Sequence, residues 1–142
     1  MFVNSRQLGE RGEISAVGWF ANRGATVAWP LNHSPHWDLI VEWDGVVHRV
    51  QVKTSTCYVR KRWSVAICTR GGNQSWNGVT KRFDASLCDL LFVHVGDGRR
   101  WVIPAKAVEA ARAICLGGPK YSEWEVERGE ALPKLTRADL AA

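Results

Sequence analysis

The chain contains no run of about 18 consecutive apolar residues, so nothing in it is suited to cross a bilayer as a helix. Its first residues, Met1 to Arg11, carry charge with no apolar block behind them, which argues against a secretory leader and predicts a soluble, cytoplasmic protein. Cysteine is sparse and scattered: Cys57, Cys68, Cys88 and Cys115 form no Cys-x-x-Cys pair, which disfavours both a zinc clamp and a disulfide framework. His33, His36 and His48 do not supply the missing spacing for zinc. The Gly-rich phosphate loop of the Walker type is absent, which argues against an ATPase. Acidic residues are missing altogether from Arg49 to Phe83, a stretch that holds eight basic ones. Such an uncompensated segment is either a solvated basic face or the contact surface for a polyanion, whose neutralised phosphates release counterions and so strengthen binding. Nucleic acid is the partner it fits best.

What is present is a chain of 142 residues that is 46% apolar, enough for one compact core. We therefore expect a single domain over 1–142, with its core at about 5–116 and a C-terminal extension at 117–142. Asn4 and Gln7 have the spacing of a capping box and Gly24 that of a C-terminal cap, which predicts a helix over 5–23. A short strand over 25–29, stopped by Pro30, leads through a loop to a hairpin turning at Asp44-Gly45. Beyond it the pattern predicts a strand over 58–67 and a Gly-, Asn- and Arg-rich loop over 69–83. A second hairpin follows, with strands over 88–96 and 99–104, and then a helix over 105–115 ended by Gly117-Gly118-Pro119. Trp29, Trp43, Trp63 and Trp101 lie in apolar runs and are expected to pack, whereas Trp76 is placed for stacking on a base. The order of elements implies an α/β fold with a mixed sheet flanked by helices.

Three polar residues in the first hairpin need explaining. A two-residue loop at Asp44-Gly45 pairs Trp43 with Val46, Val41 with His48, Leu39 with Val50 and Asp38 with Gln51. Alternation then gives one apolar face, made of Leu39, Val41, Trp43, Val46, Val50 and Val52 together with His48. Asp38, Gln51 and Lys53 share the other face at the open end. On a solvated sheet these would be ordinary cross-strand polar pairs. The first helix points elsewhere. At about 100° per residue, Ala16, Val17, Phe20 and Ala21 all fall within about 80° of Glu13, so its carboxylate belongs to the apolar stripe. Arg11, Ser15, Asn22 and Gln7 gather opposite. A buried carboxylate needs a cationic partner, as in a structural salt bridge, or a metal. Two carboxylates and an amide oxygen suit a hard divalent cation such as Mg²⁺, with Mn²⁺ as an alternative. A cation held there can polarise a phosphodiester and activate water, and Lys53 can stabilise the added negative charge.

The stretches "GERGEISAVGWFANRGATVAWP" and "WDLIVEWDGVVHRVQVKTS" resemble the PD-(D/E)xK nuclease superfamily, which carries a helix Glu, a strand Asp and an acid-x-Lys on the next strand. In this chain those positions are Glu13, Asp38 and Gln51-Val52-Lys53. The form "QVKTS", with the later "FDASLCDLLFVHVGDGRRWVIP", is similar to the group I intron-associated homing endonuclease branch. The resemblance implies a restriction-endonuclease-like core and metal-dependent cleavage of double-stranded DNA by a homodimer or homotetramer. It also implies a metal shell of Glu13, Asp38, Gln51 and the main-chain carbonyl of Val52, with Lys53 at the reacting phosphate. Two positions depart from the pattern. Trp37 stands where Pro precedes the Asp, and Gln51 replaces the usual acid, which lowers the negative charge on the metal.

The expected function is thus a Mg²⁺-dependent endodeoxyribonuclease, with Arg60, Lys61, Arg62, Arg70, Lys81 and Arg82 on phosphates and Asn73, Gln74 and Trp76 reaching bases. Two alternatives stay open: a structure-selective nuclease of the Holliday-junction type, and a DNA-binding module that has lost its metal site at Gln51.

Overall fold

The computed structural model describes residues 4–70 and 80–133. Helix α1 spans Ser5–Asn22, and its start is fixed by the capping box foreseen from the sequence. Asn4 Oδ1 accepts from the Gln7 backbone N–H at 2.9 Å, and Gln7 Oε1 accepts from the Asn4 N–H at 2.9 Å. A cap of this kind contributes about 1 kcal/mol.

Strands β1 (Thr26–Ala28), β2 (Leu39–Trp43), β3 (Val46–Ser55), β8 (Leu90–Val95), β9 (Arg100–Pro104) and β11 (Glu125–Val126) form a six-stranded sheet in the order β1-β2-β3-β8-β9-β11. β3 and β8 run parallel and the other neighbours antiparallel, so the sheet is mixed as expected for an α/β fold. The first hairpin has the register that its Asp-Gly turn implies, Leu39 opposite Val50 and Trp43 opposite Val46. A second, three-stranded sheet holds β4 (Tyr58–Val59), β5 (Arg62–Ala66) and β10 (Ala113–Leu116) in the order β10-β5-β4. Two short strands, β6 (Thr69–Arg70) and β7 (Thr80–Lys81), pair at the base of the segment expected to be a loop.

The large sheet lies between two layers. On one face Ala16, Trp19 and Phe20 of α1 pack on Leu39, Val41, Val50, Val52 and Phe92. On the other, Leu91, Val93, Val95, Trp101 and Ile103 meet Trp63, Val65, Ile67, Ile114 and Leu116 from the small sheet side. Alternation along β8 feeds both cores, and each fully buried Leu, Ile, Val or Phe stabilises the fold by about 1.5–3 kcal/mol.

Several expectations change. The segment 105–115 is not a helix: a single 3₁₀ turn at Ala105–Ala107 is followed by extended chain and then β10. Its Ala-rich composition favours a helix, but Ile114 and Leu116 alternate with exposed residues and are buried against β5, and that burial outweighs propensity. The strand foreseen over 58–67 is a hairpin, with Arg60 and Lys61 as its two-residue turn. Trp63 and Trp101 are buried and Trp43 is half-buried, but Trp29 is 57% exposed, because the chain leaves the sheet at Ala28 before Trp29 can pack. Val46, assigned to the apolar face, sits beside the turn and is exposed. The end of the chain wraps as far as it is described: β11 pairs with β9, Gly129 N–H donates to Gly98 O at 2.7 Å and Leu132 N–H to Gly96 O at 3.0 Å.

Candidate active site

The site forms where β2 begins and β3 continues past it. Asp38 precedes β2, and its N–H donates to Val50 O at 2.8 Å, extending the ladder by one bond. Beyond that point β3 has no β2 partner, so the Val52 N–H is taken by the Asp38 carboxylate, Oδ2 accepting at 2.7 Å. The same Oδ2 accepts from Gln51 Nε2 at 3.1 Å, which joins the two residues that the register placed opposite each other. A strand residue projects its N–H and C=O toward the same edge, so the Val52 carbonyl also faces the gap that Asp38 occupies.

Gln51 and Lys53 project to the face opposite α1, and both are half-buried. Glu13 approaches from the helix. The helical wheel put it at the centre of the buried stripe, but Gly12, Ala16, Trp19 and Phe20 form that centre and Glu13 lies on its flank, half-buried. Ser15, assigned to the polar side, lies on the other flank and bonds His94. Gly12 allows the close approach, because a Cβ there would run into Thr54 Cγ2 and press on Val52 Cγ1 at 3.2 Å. The helix is thereby seated directly on the strand that carries Lys53.

The electrostatics are those of charges held without enough partners. Burial raises the Asp38 carboxyl above its ordinary value, against the opposing effects of the Val52 hydrogen bond, Lys53 and His33. Burial also raises Glu13, and the Asp38 charge adds to the effect. Lys53 is lowered by burial, with Asp38, Cys68 and Cys88 opposing. Burial pushes the Cys88 thiol up to about 11, so it stays protonated near neutrality. Among the described residues neither Glu13 nor Asp38 has a cation within ion-pair distance. Nor do three of His, Cys, Asp and Glu gather there into a metal-holding group, so any such shell draws on the Gln51 amide and the Val52 carbonyl besides the two carboxylates. Two desolvated carboxylates with these neutral oxygens are a donor set that fits a hard divalent cation.

Beside Gln51 a cavity of about 290 Å³ is lined by His36, Lys81, Arg82, Phe83, Asp84 and Cys88 among others. A larger one of about 740 Å³ lies away from the carboxylates, between α1, His94, Arg100 and the segment 127–132. The basic residues divide. Arg60, Lys61, Lys81 and Arg82 are exposed. Arg62 is half-buried, donates to the Lys61 carbonyl at 3.0 Å and lies against Gly118. Arg49 is held by Asp89 at 3.1 Å. Arg70 ends β6 with its side chain outside the description, and Asn73, Gln74 and Trp76 lie outside the described residues. His33 was not foreseen as part of the site, yet its charge acts on both Glu13 and Asp38. Its only signal in the sequence is its place in the loop leading to Asp38.

A profile of the PD-(D/E)XK endonuclease family matches residues 3–113. The solved structure of a bacterial homing endonuclease, I-Ssp6803I, superposes with a TM-score of 0.73 at 19% identity, covering 87% of this chain and 89% of that one. At that identity the likeness is one of fold: the mixed sheet with its helix and second sheet is the restriction-endonuclease-like core. A comparison with curated proteins returns no match. The family match spans Glu13, Asp38, Gln51 and Lys53, and it makes the chain a nuclease, of a class that generally uses divalent metal ions. The chain belongs to the PD-(D/E)XK endonuclease family.

Proposed function

We propose that the protein is a metal-dependent, site-specific DNA endonuclease of the homing type, working as a homodimer or homotetramer. The observation that carries this reading is the convergence of Asp38, Gln51 and the Val52 main chain at the start of β2, with Lys53 on β3 beside Gln51 and Val52 and Glu13 close enough for the Asp38 charge to act on it. Glu13, Asp38, the Gln51 amide oxygen and the Val52 carbonyl hold the cation. Mg²⁺, or Mn²⁺ in its place, supplies polarisation of the scissile phosphate and a more acidic bound water. Asp38 fixes the Gln51 amide through its Nε2, which turns Oε1 away from Asp38 and leaves it free to accept. Lys53 places its positive charge where the phosphate gains negative charge, and its low-dielectric surroundings strengthen that interaction. Arg60, Lys61, Arg62, Arg70, Lys81 and Arg82 hold the duplex by its backbone, with Asn73, Gln74 and Trp76 toward the bases. A single site cuts one strand, so double-strand cleavage calls for a second copy.

The same Gln51–Asp38 hydrogen bond favours one other reading. If the amide serves only to satisfy Asp38, the chain binds DNA without holding metal. Titration of Mg²⁺ and Mn²⁺ into the protein by calorimetry separates the two. The nuclease reading expects a binding isotherm that disappears in Asp38→Asn, and the binding-module reading expects none with either ion. Comparing four-way junctions with linear duplex as substrates then distinguishes a structure-selective enzyme from a sequence-specific one.

A further inference from the structure

The hairpin β4–β5 has a turn that its surroundings do not explain. Arg60 and Lys61 both sit in the left-handed region, at φ 53° and 63°, where L side chains are rarely found and where Asn-Gly or Asp-Gly is the usual solution. The chain uses that solution at Asp44-Gly45, which closes β2–β3 with φ of 50° and 76°, whereas the four-residue loop from β8 to β9 has Gly98 in the left-handed region, at φ 94°. Among the described residues, only the turn following the Lys53 strand carries two long cations in the strained positions. The flanking residues are also unusual for a hairpin tip, Tyr58 being 55% and Val59 54% exposed.

The hairpin is held firmly beside the site. Ser55, two residues past Lys53 on β3, donates its hydroxyl to the Ser64 carbonyl, and Ser64 N–H donates to Cys57 O at 2.9 Å. The Tyr58 and Trp63 rings lie 4.8 Å apart, and Trp63 is seated against Gly96 at the end of β8. Chain length limits the distance from Lys53 to Arg60 to about 25 Å. Arg62 folds back on Gly118, so the exposed cations at the tip are Arg60 and Lys61.

A two-stranded ribbon fits the major groove, where Arg and Lys donate to guanine O6 and N7 and apolar side chains meet the thymine methyl. We propose that the β4–β5 hairpin is the element that enters the major groove and reads base edges, through Arg60 and Lys61 with Val59 beside them. The strained turn is retained because Asn-Gly, although easier to fold, would carry neither donor. This rests on the nuclease reading above and moves Arg60 and Lys61 within it from the phosphate backbone to the base edges, as the residues that set sequence preference.

The test replaces the turn by the pair its backbone favours, Arg60→Asn with Lys61→Gly. Wild type and variant are each used to select from a library of randomised duplexes, with Ca²⁺ in place of Mg²⁺, and affinities are measured on the selected and on random duplexes. The variant is expected to melt at a higher temperature. It should lose about tenfold to a hundredfold in affinity for the selected sequence and much less for random duplex, with sequence preference erased at the positions it no longer reads. Recovery of the same motif by the variant, or equal losses on both duplexes, would assign these cations to phosphates and overturn the inference. A wild type that cuts plasmid DNA but selects no sequence overturns the inference alone. One that neither binds nor cuts DNA overturns the nuclease reading as well.

Discussion

The side-chain amide of Gln51 donates to Asp38 Oδ2 over 3.1 Å, so the residue standing in an acid position uses its N–H where an acid would bring a second charge. Replacing it by Glu turns a hydrogen bond into a contact between carboxylates. We predict that Gln51→Glu melts lower than wild type without metal and binds Mn²⁺ roughly tenfold more tightly, a gain of about 1.4 kcal/mol. Thermal melts with and without Mn²⁺, together with calorimetry, check both halves. Unchanged affinity would remove Gln51 from the metal shell.

Asp38 is raised by burial, so its charge costs stability at every pH above its folded value and the cost disappears as the carboxyl protonates. Asn at this position can keep both hydrogen bonds through its side-chain oxygen while removing the desolvated charge. Asp38→Asn should therefore be more stable at pH 7 by about 1 kcal/mol, a common size for relief of active-site strain, and should be inactive. Denaturant unfolding combined with a cleavage assay decides it; a less stable variant would mean that the charge is well compensated.

Gly12 lets α1 rest on Val52 and Thr54. Ala is the better helix former, but the clash with Thr54 forces the helix outward and takes Glu13 with it. Gly12→Ala is predicted to destabilise by about 1–3 kcal/mol and to lower the cleavage rate. Higher stability in a denaturant series would contradict this seating of the helix.

His94 is 3% exposed, its Nε2 within 2.6 Å of the Glu130 carbonyl and its Nδ1 within 2.7 Å of Ser15 Oγ. A carbonyl only accepts, so Nε2 carries the proton and Nδ1 accepts from Ser15. Burial, with the nearby Arg100 charge, lowers its pKa below the ordinary 6.5, while the Glu130 bond and Asp97 act the other way. As pH falls below 6.5 the unfolded chain takes up the proton first, so stability declines until the pH passes the folded value, where the decline ends. The melting temperature should fall between pH 7 and 5, and less steeply in His94→Gln. Asp84, Asp89, Glu125 and Glu127 are lowered from ordinary values of 3.8 and 4.5, so their losses come at more acidic pH.

Local chemistry made part of this molecule legible in advance. Asp44-Gly45 determines the register of its hairpin, and the register alone brings Asp38 to Gln51. The cap at Asn4 and Gln7 places α1, and with it Glu13, half-buried on the flank of the apolar stripe and close enough for the Asp38 charge to act on it. Tertiary packing hid the rest. Residues 105–115 have helical composition, yet β5 needs a partner and Ile114 and Leu116 supply it. The turn at Arg60-Lys61 lacks the Gly or Asn that announces a hairpin. His33 comes near the carboxylates through the path of a loop, which carries no periodicity to read.

Cleavage of DNA at this strand end, with Lys53 at the reacting phosphate, is open to direct test. The most direct measurement is plasmid cleavage in Mg²⁺ by wild type and by Lys53→Ala, each shown to be folded by its thermal melt. Wild type should give nicked and linear products, and the variant a rate lower by about 10²–10³-fold, the usual effect of removing one charge-stabilising donor. Equal cleavage by the two proteins would contradict it.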